Sequence, residues 1–152
     1  MWVAVQGCRF CSIVNNQPEK HLRESDNAVV VEDAYPHAPH HYLILSKRHI
    51  NKASDLTTAD LPLVKEMDRL GRDYLRETLK QRGEADTVED LLRMGFHWSM
   101  FVSVHHLHMH LLYPTRDVCF ISSELIQHSG NDRNSNSFFF CSWSKNIILN
   151  LL

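Results

Sequence analysis

Residues 106–112 read His-Leu-His-Met-His-Leu-Leu, an unbroken alternation of imidazoles and apolar side chains. On an extended strand successive side chains project to opposite faces, so residues two apart share a face about 7 Å from one another. His106, His108 and His110 then form one row, and Leu107, Met109 and Leu111 the other. Burial of the apolar row fixes the register, because a slip of one residue would exchange the two faces. The segment is therefore expected to be a strand with one side in a core and three rings on the other. Three ordinary core histidines in this pattern would each need a buried polar partner. A metal site is the stronger rival to catalysis, since imidazole is a common zinc ligand.

Histidine is concentrated well beyond this segment. Of eleven in 152 residues, nine lie between His37 and His110. His37, His40 and His105 are expected to be exposed or to support the site indirectly, and His21 and His128 to play no chemical part. The length suits one domain with its own core, and 43% hydrophobic with 22% charged residues is the balance of a soluble globular chain. A net charge of −2 argues against broad nucleic-acid binding, which needs a face rich in Lys and Arg. Four cysteines are too sparse for a disulfide-stapled secreted fold. No basic and apolar leader opens the sequence and no run suffices to span a bilayer. A cytoplasmic or nuclear setting and no membrane are the expectations.

Along the chain, Cys8-Arg-Phe-Cys11-Ser-Ile-Val14 is a compact apolar segment. Pro18 marks a turn within 15–20, and Ser25-Asp26-Asn27 marks another. Ala28–Val31 and Tyr42–Leu45 read as an antiparallel strand pair, rich in residues that favour a pleated surface. A helix is expected over about 58–82. Thr57 or Thr58 caps it, Pro62 falls in its first turn, and Leu61, Val64, Met67, Leu70, Tyr74, Leu75 and Leu79 line one face. Gly83 is the stop signal. Further strands are expected at 101–104 and 106–112. The order suggests an α+β fold, with helices on one side of the sheet. Residues 1–128 read as the domain. Residues 129–152 read as an atypical tail, a linker-like 129–137 followed by an abruptly apolar 138–152 that is a terminal strand or helix or an unrelated end.

The pattern H-φ-H-φ-H-φ-φ, with φ apolar, resembles the signature of the histidine-triad family of nucleotide hydrolases and transferases. The likeness extends to Val31, Asp33, Pro36, Ala38, Pro39, His41 and Leu43, to Lys47, His49 and Ile50, and to Phe10 and Ile13. Cys8-x-x-Cys11 and Arg93-Met94-Gly95-Phe96-His97 resemble the branch that includes aprataxin. Together these motifs cover about residues 8–120. The resemblance implies an antiparallel sheet of about five strands with one long and one shorter helix, a homodimer, and an AMP conjugate as substrate.

By the same resemblance His108 is the nucleophile, attacking the α-phosphorus to give a covalent nucleotidyl-histidine that water hydrolyses. A neutral imidazole suits this, since its ordinary pKa of about 6.5 leaves it largely unprotonated at neutral pH. The other ring nitrogen needs a partner, for which a backbone carbonyl and His41 are candidates. His110 and Ser103 resemble the pair that contacts the α-phosphate oxygens, and His110 also suits protonation of a leaving amine. His106 completes the triad. Asp33 matches the ribose-binding position, with a turn-forming role as the alternative. Phe10, Ile13 and Val31 match the walls of the base pocket, with ordinary core as the alternative. Where many members carry an asparagine, this chain has Gly95, and His97 is the candidate substitute.

Cys8-x-x-Cys11 alone is compatible with a redox pair, half a zinc site or two buried thiols. Some family members bind structural zinc through positions matching Cys8, Cys11, His49 and His106, a normal closed tetrahedral set. No cofactor is expected in catalysis. The leading reading is an adenosine 5′-phosphoramidate hydrolase that releases AMP. The alternatives are aprataxin-like removal of AMP from adenylated DNA ends, and a non-catalytic nucleotide-binding or scaffold protein.

Overall fold

The computed structural model describes residues 3–84, 91–97, 104–115 and 140–142, with the backbone alone described at 97 and 140–142. Within these residues two α-helices, α1 (Arg9–Asn16) and α2 (Leu61–Arg82), flank a six-stranded antiparallel sheet. The strands are β1 (Arg23–Glu24), β2 (Ala28–Glu32), β3 (His40–Ser46), β4 (Arg93–His97), β5 (His108–Tyr113) and β6 (Phe140–Ser142). They lie in the order β1-β2-β3-β5-β4-β6. The expected α+β architecture is present, with a two-residue edge strand and an outer strand from the tail bringing the sheet to six.

The alternating patterns of β2, β3 and β5 build two layers. Val30, Ile44, Met109 and Leu111 face α2, where they pack with Val64, Met67 and Leu75. Val29, Val31, Leu43 and Leu45 face the other way, against Phe10 and Ile13 of α1. The helices therefore lie on opposite faces, not on one side as the element order suggested. Periodicity tells which residues of α1 are buried, but not which face of the sheet receives them.

Helix α2 begins at Leu61 with Asp60 as its N-cap, three residues later than expected, because Thr57 caps a 3-10 turn over Thr58–Asp60 instead of the helix itself. The Asp60 carboxylate accepts from the Thr57 amide at 2.8 Å and its hydroxyl at 2.9 Å, just before the helix. Pro62 occupies the first turn, and Gly83 closes the helix at φ 68°. Midway, Gly71 lets the helix approach the sheet, since a Cβ there would lie 2.8 Å from Met94 Cε and 3.0 Å from Ile44 Cδ1.

Two segments that the sequence patterns left without an assigned element are regular structure. Residues 8–14 turn out to open a helix, and Arg93–His97 is a strand paired to β5. Gly95 and the flanking charged residue mask the strand character of the latter. The strand expected over 101–104 falls largely outside the described residues, as do Ser103, His128 and most of 129–152. The one described stretch of that tail, β6, pairs with β4. Among the described residues no helix is long and apolar enough to cross a membrane.

Candidate functional site

The triad strand is shorter than its sequence pattern. Strand β5 begins at His108, with His108 opposite Leu45 and His110 opposite Leu43. Both rings thus emerge on the α1 face. His106 precedes the strand, 1% exposed, and its ring turns toward the two cysteines. The three imidazoles share the α1 side as the alternation predicts, Phe10 lying edge-on to both His106 and His108, but His106 stands ahead of the strand and is held by a different set of partners. Leu107, Met109 and Leu111 are buried in the α2 layer, as the alternation requires.

His108 is half-buried, and its Nδ1–H donates to the His106 carbonyl at 2.6 Å. That bond leaves the lone pair on Nε2. Burial holds its pKa below the ordinary value, against the opposing pull of the His106 carbonyl and the Asp33 charge. The ring is therefore neutral at pH 7. Phe10 of α1 packs edge-on against it, with ring centroids 5.1 Å apart. Of the two candidate partners for the remote nitrogen, the backbone carbonyl fills the position. His41 instead reaches His110.

That contact joins β3 to β5 across a diagonal of the sheet. His41 Nε2 is 2.9 Å from His110 Nδ1. The His37 amide donates to His41 Nδ1 at 3.1 Å, so the His41 proton resides on Nε2 and points at His110. Asp33, just beyond β2, brings Oδ2 within 3.3 Å of His41 Nε2 and 3.7 Å of His110 Nδ1. Burial lowers the His41 pKa, the Asp33 charge opposing it and His37 adding to it. Asp33 Oδ1 also accepts from the Tyr35 amide at 2.8 Å, the turn-forming contact named as the alternative for this residue. The carboxylate–imidazole–imidazole link could not be read in advance, because its members lie far apart in the chain.

At the other end of the row, Cys8, Cys11, His49 and His106 place four donor atoms within 4.8 Å of one another. The Sγ to Nδ1 distances are 3.2 Å for Cys11–His49, 3.5 Å for Cys11–His106 and 3.5 Å for Cys8–His106. Tetrahedral zinc with ordinary Zn–S and Zn–N bonds has S···N edges of about 3.5 Å. His106 Nε2–H donates to the Ser46 carbonyl at 2.8 Å, and His49 Nε2 meets Asn51 Oδ1 at 3.0 Å. Each ring thus turns an unprotonated Nδ1 toward the thiols, the outer support that metal-ligating histidines receive. Burial pushes the His106 pKa down to about 4 and the Cys11 thiol up. The donor set fits a tetrahedral soft-metal site. Ser46 and Asn51 were missed as supporting groups, although Asn51 lies only two residues from His49.

Ile13 and Val31, 7% and 3% exposed, lie in the packed layer under α1 with Phe10. His97 belongs to β4. His37 and His105 are exposed. His40 is not: at 1% exposure it is buried on the α2 side, its Nε2 3.0 Å from the Glu84 carboxylate and its Nδ1 3.3 Å from the Tyr42 hydroxyl. Its even position in β3 sends it to the face opposite His41.

Residues 7–125 match the family described as Scavenger mRNA decapping enzyme C-term binding. Adenosine 5′-monophosphoramidase HINT3 of Xenopus tropicalis is 35% identical over 117 residues, spanning 76% of this chain and 72% of its own. Bifunctional adenosine 5′-phosphosulfate phosphorylase/adenylylsulfatase HINT4 of Arabidopsis thaliana is 36% identical over 108 residues, 69% and 68% of the two chains. A solved histidine triad protein from Clostridium difficile superposes with a TM-score of 0.58 at 25% identity, covering 72% of this chain and 92% of that one. A histidine triad gathered on the α1 side, a family match across most of the chain and this fold agree, and the chain belongs to the histidine-triad family.

Proposed function

We propose that the chain is a nucleotide phosphoramidate hydrolase that attacks the α-phosphate of an AMP conjugate through His108. The observation that carries this reading is the 2.6 Å bond from His108 Nδ1 to the His106 carbonyl. It fixes the ring and leaves the Nε2 lone pair as the attacking group. Attack forms the Nε2–P bond and breaks the P–N bond to the leaving amine. His110 donates the proton that the amine needs, and His41 Nε2–H, directed at His110 Nδ1, supports that exchange. Water then attacks phosphorus, the P–Nε2 bond to His108 breaks, the water's proton returns to His110, and AMP leaves. Ser103 and His97 enter as phosphate contacts on the strength of the family resemblance. So do Asp33 toward the ribose and Phe10, Ile13 and Val31 toward the base. The names of the HINT3 and HINT4 relatives pair one adenylate chemistry with different leaving groups, which supports attack at the α-phosphate more strongly than any one amine.

In the same reading Cys8, Cys11, His49 and His106 hold a structural zinc ion. It would tie the start of α1 to the segment entering β5 and supply folding energy rather than chemistry. A homodimer in the cytoplasm or nucleus completes the proposal, by resemblance and by the sparse cysteines. Mass spectrometry of protein quenched during turnover of an AMP–amine conjugate tests the central step. AMP is expected on His108, and His108→Ala is expected to lose at least roughly 10⁴-fold in kcat. Undiminished turnover in that variant would end the proposal.

A further inference from the structure

Cys8 is the N-cap of α1, and the Cys11 amide donates to its sulfur at 3.4 Å. Cys8 is partly exposed, whereas Cys11 is buried behind it at 2%. Phe10 lies between them in the chain, edge-on to His108 at 5.1 Å and to His106 at 6.0 Å. The eight-residue helix and the N-cap residue before it thus carry both thiols and the side chain that packs on the central triad ring. A reachable sulfur with a second one behind it is the arrangement in which an oxidised thiol is resolved as a disulfide.

We infer that Cys8 and Cys11 form a peroxide-sensitive switch, whose reduced state holds α1, and with it Phe10, against His108. The switch rests on the four-donor reading given above. A peroxide oxygen is transferred to the Cys8 thiolate: an S–O bond forms, the O–O bond breaks, and the departing hydroxide or alkoxide takes up a proton. The Cys11 sulfur then attacks the Cys8 sulfur, forming the S–S bond as the S–O bond breaks, and the proton given up by Cys11 joins the departing hydroxide as water. The two sulfurs lose two electrons in all, and the peroxide accepts them. An S–S bond is about 2.05 Å long, so the sulfurs cease to be separate donors. His49 and His106 alone are too few for a closed four-coordinate site. The anchored start of α1 is then released, and the Phe10 contact on His108 loosens.

The test treats the intact, zinc-loaded chain with hydrogen peroxide. Peptide mass spectrometry reads the disulfide, a chelating dye reads released zinc, and a long-range ¹H–¹⁵N spectrum reads the His108 ring. A Cys8–Cys11 disulfide is expected in step with zinc release and a shift of the His108 ring signals. AMP release is expected to fall by about tenfold, the scale on which lost support of a site acts, and to return with dithiothreitol and zinc. A Cys119→Ser, Cys141→Ser double variant is expected to respond in the same way. The switch is overturned if Cys8 and Cys11 stay reduced while Cys119 or Cys141 oxidises, or if the disulfide forms and the His108 signals do not move. Reduced protein that releases no AMP would count against the hydrolase reading alone, leaving the thiol, zinc and ring measurements to decide the switch.

Discussion

Two clusters flank His108 on the same face of the sheet, and each brings its donor atoms within 4.8 Å of one another. Proximity does not distinguish them; the location of the protons does. In the Cys8–Cys11–His49–His106 cluster both rings give their Nε2 proton outward, to the Ser46 carbonyl and to Asn51, and turn a bare Nδ1 inward. In the Asp33–His41–His110 cluster the His37 amide occupies His41 Nδ1, so a proton points inward, at a second ring 2.9 Å away. Bare nitrogens beside thiols suit a cation. A proton shared between rings beside a carboxylate suits acid–base exchange. The same residue type thus yields an anchor at one end and a proton-handling group at the other.

Separate variants can pull the two apart. Cys11→Ala should have the largest effect, on stability: loss of a buried ligand is expected to cost about 4 kcal/mol. The guanidinium midpoint measures it, and a chelator should then do nothing more. An unchanged midpoint would remove the anchor. His41→Ala is expected to lower kcat by about 10²-fold while zinc content stays at the wild-type level. Zinc lost along with activity would mean that the clusters are not separate. Gly71→Ala, on the far side of the sheet, forces a Cβ against Met94 and Ile44. It is expected to cost about 2 kcal/mol with kcat retained, and a matching fall in kcat would show that general loosening mimics a site defect.

The smallest effect should be that of Asp33→Asn, a few-fold loss of kcat with a displaced pH profile. Burial depresses the His41 pKa below its ordinary 6.5, and the Asp33 charge partly restores it. A depressed histidine stabilises the fold fully above its unfolded value, and that contribution is lost as the pH falls through the folded value. Removing the carboxylate lowers the His41 value further. The acidic limb of the kcat profile should therefore move to lower pH, and a move upward would mean that Asp33 acts elsewhere.

Much of this arrangement was legible in the sequence because it depends on local period. Helix α2 followed from its apolar spacing, Pro62 and Gly83, whereas its first residue did not, since a 3-10 turn at Thr58–Asp60 takes the Thr57 cap. The facing of His108, His110, Met109 and Leu111 followed from alternation alone. The Cys8, Cys11, His49 and His106 set was named through resemblance, and its convergence is a tertiary fact. What stayed hidden depended on partners distant in the chain. His106 keeps the parity and the face of a triad residue but stands outside the strand, where the thiols and the Ser46 carbonyl hold its ring. His40 and His41 are neighbours in sequence, yet one is buried beside Glu84 and the other serves the site. Alternation separates them, but only the strand's place in the sheet says which face is which. Arg93–His97 was legible as a motif and not as a strand, since five residues containing a glycine carry little pattern.

The proton positions of the central rings are dictated by main-chain atoms: the His37 amide for His41, the His106 carbonyl for His108 and the Ser46 carbonyl for His106. No side-chain replacement at 37, 46 or 106 deletes a carbonyl, and among residue types only proline deletes an amide. The tautomers are thus written into the path of the chain, and neighbouring positions are free to drift through generations of substitution without rewiring the chemistry.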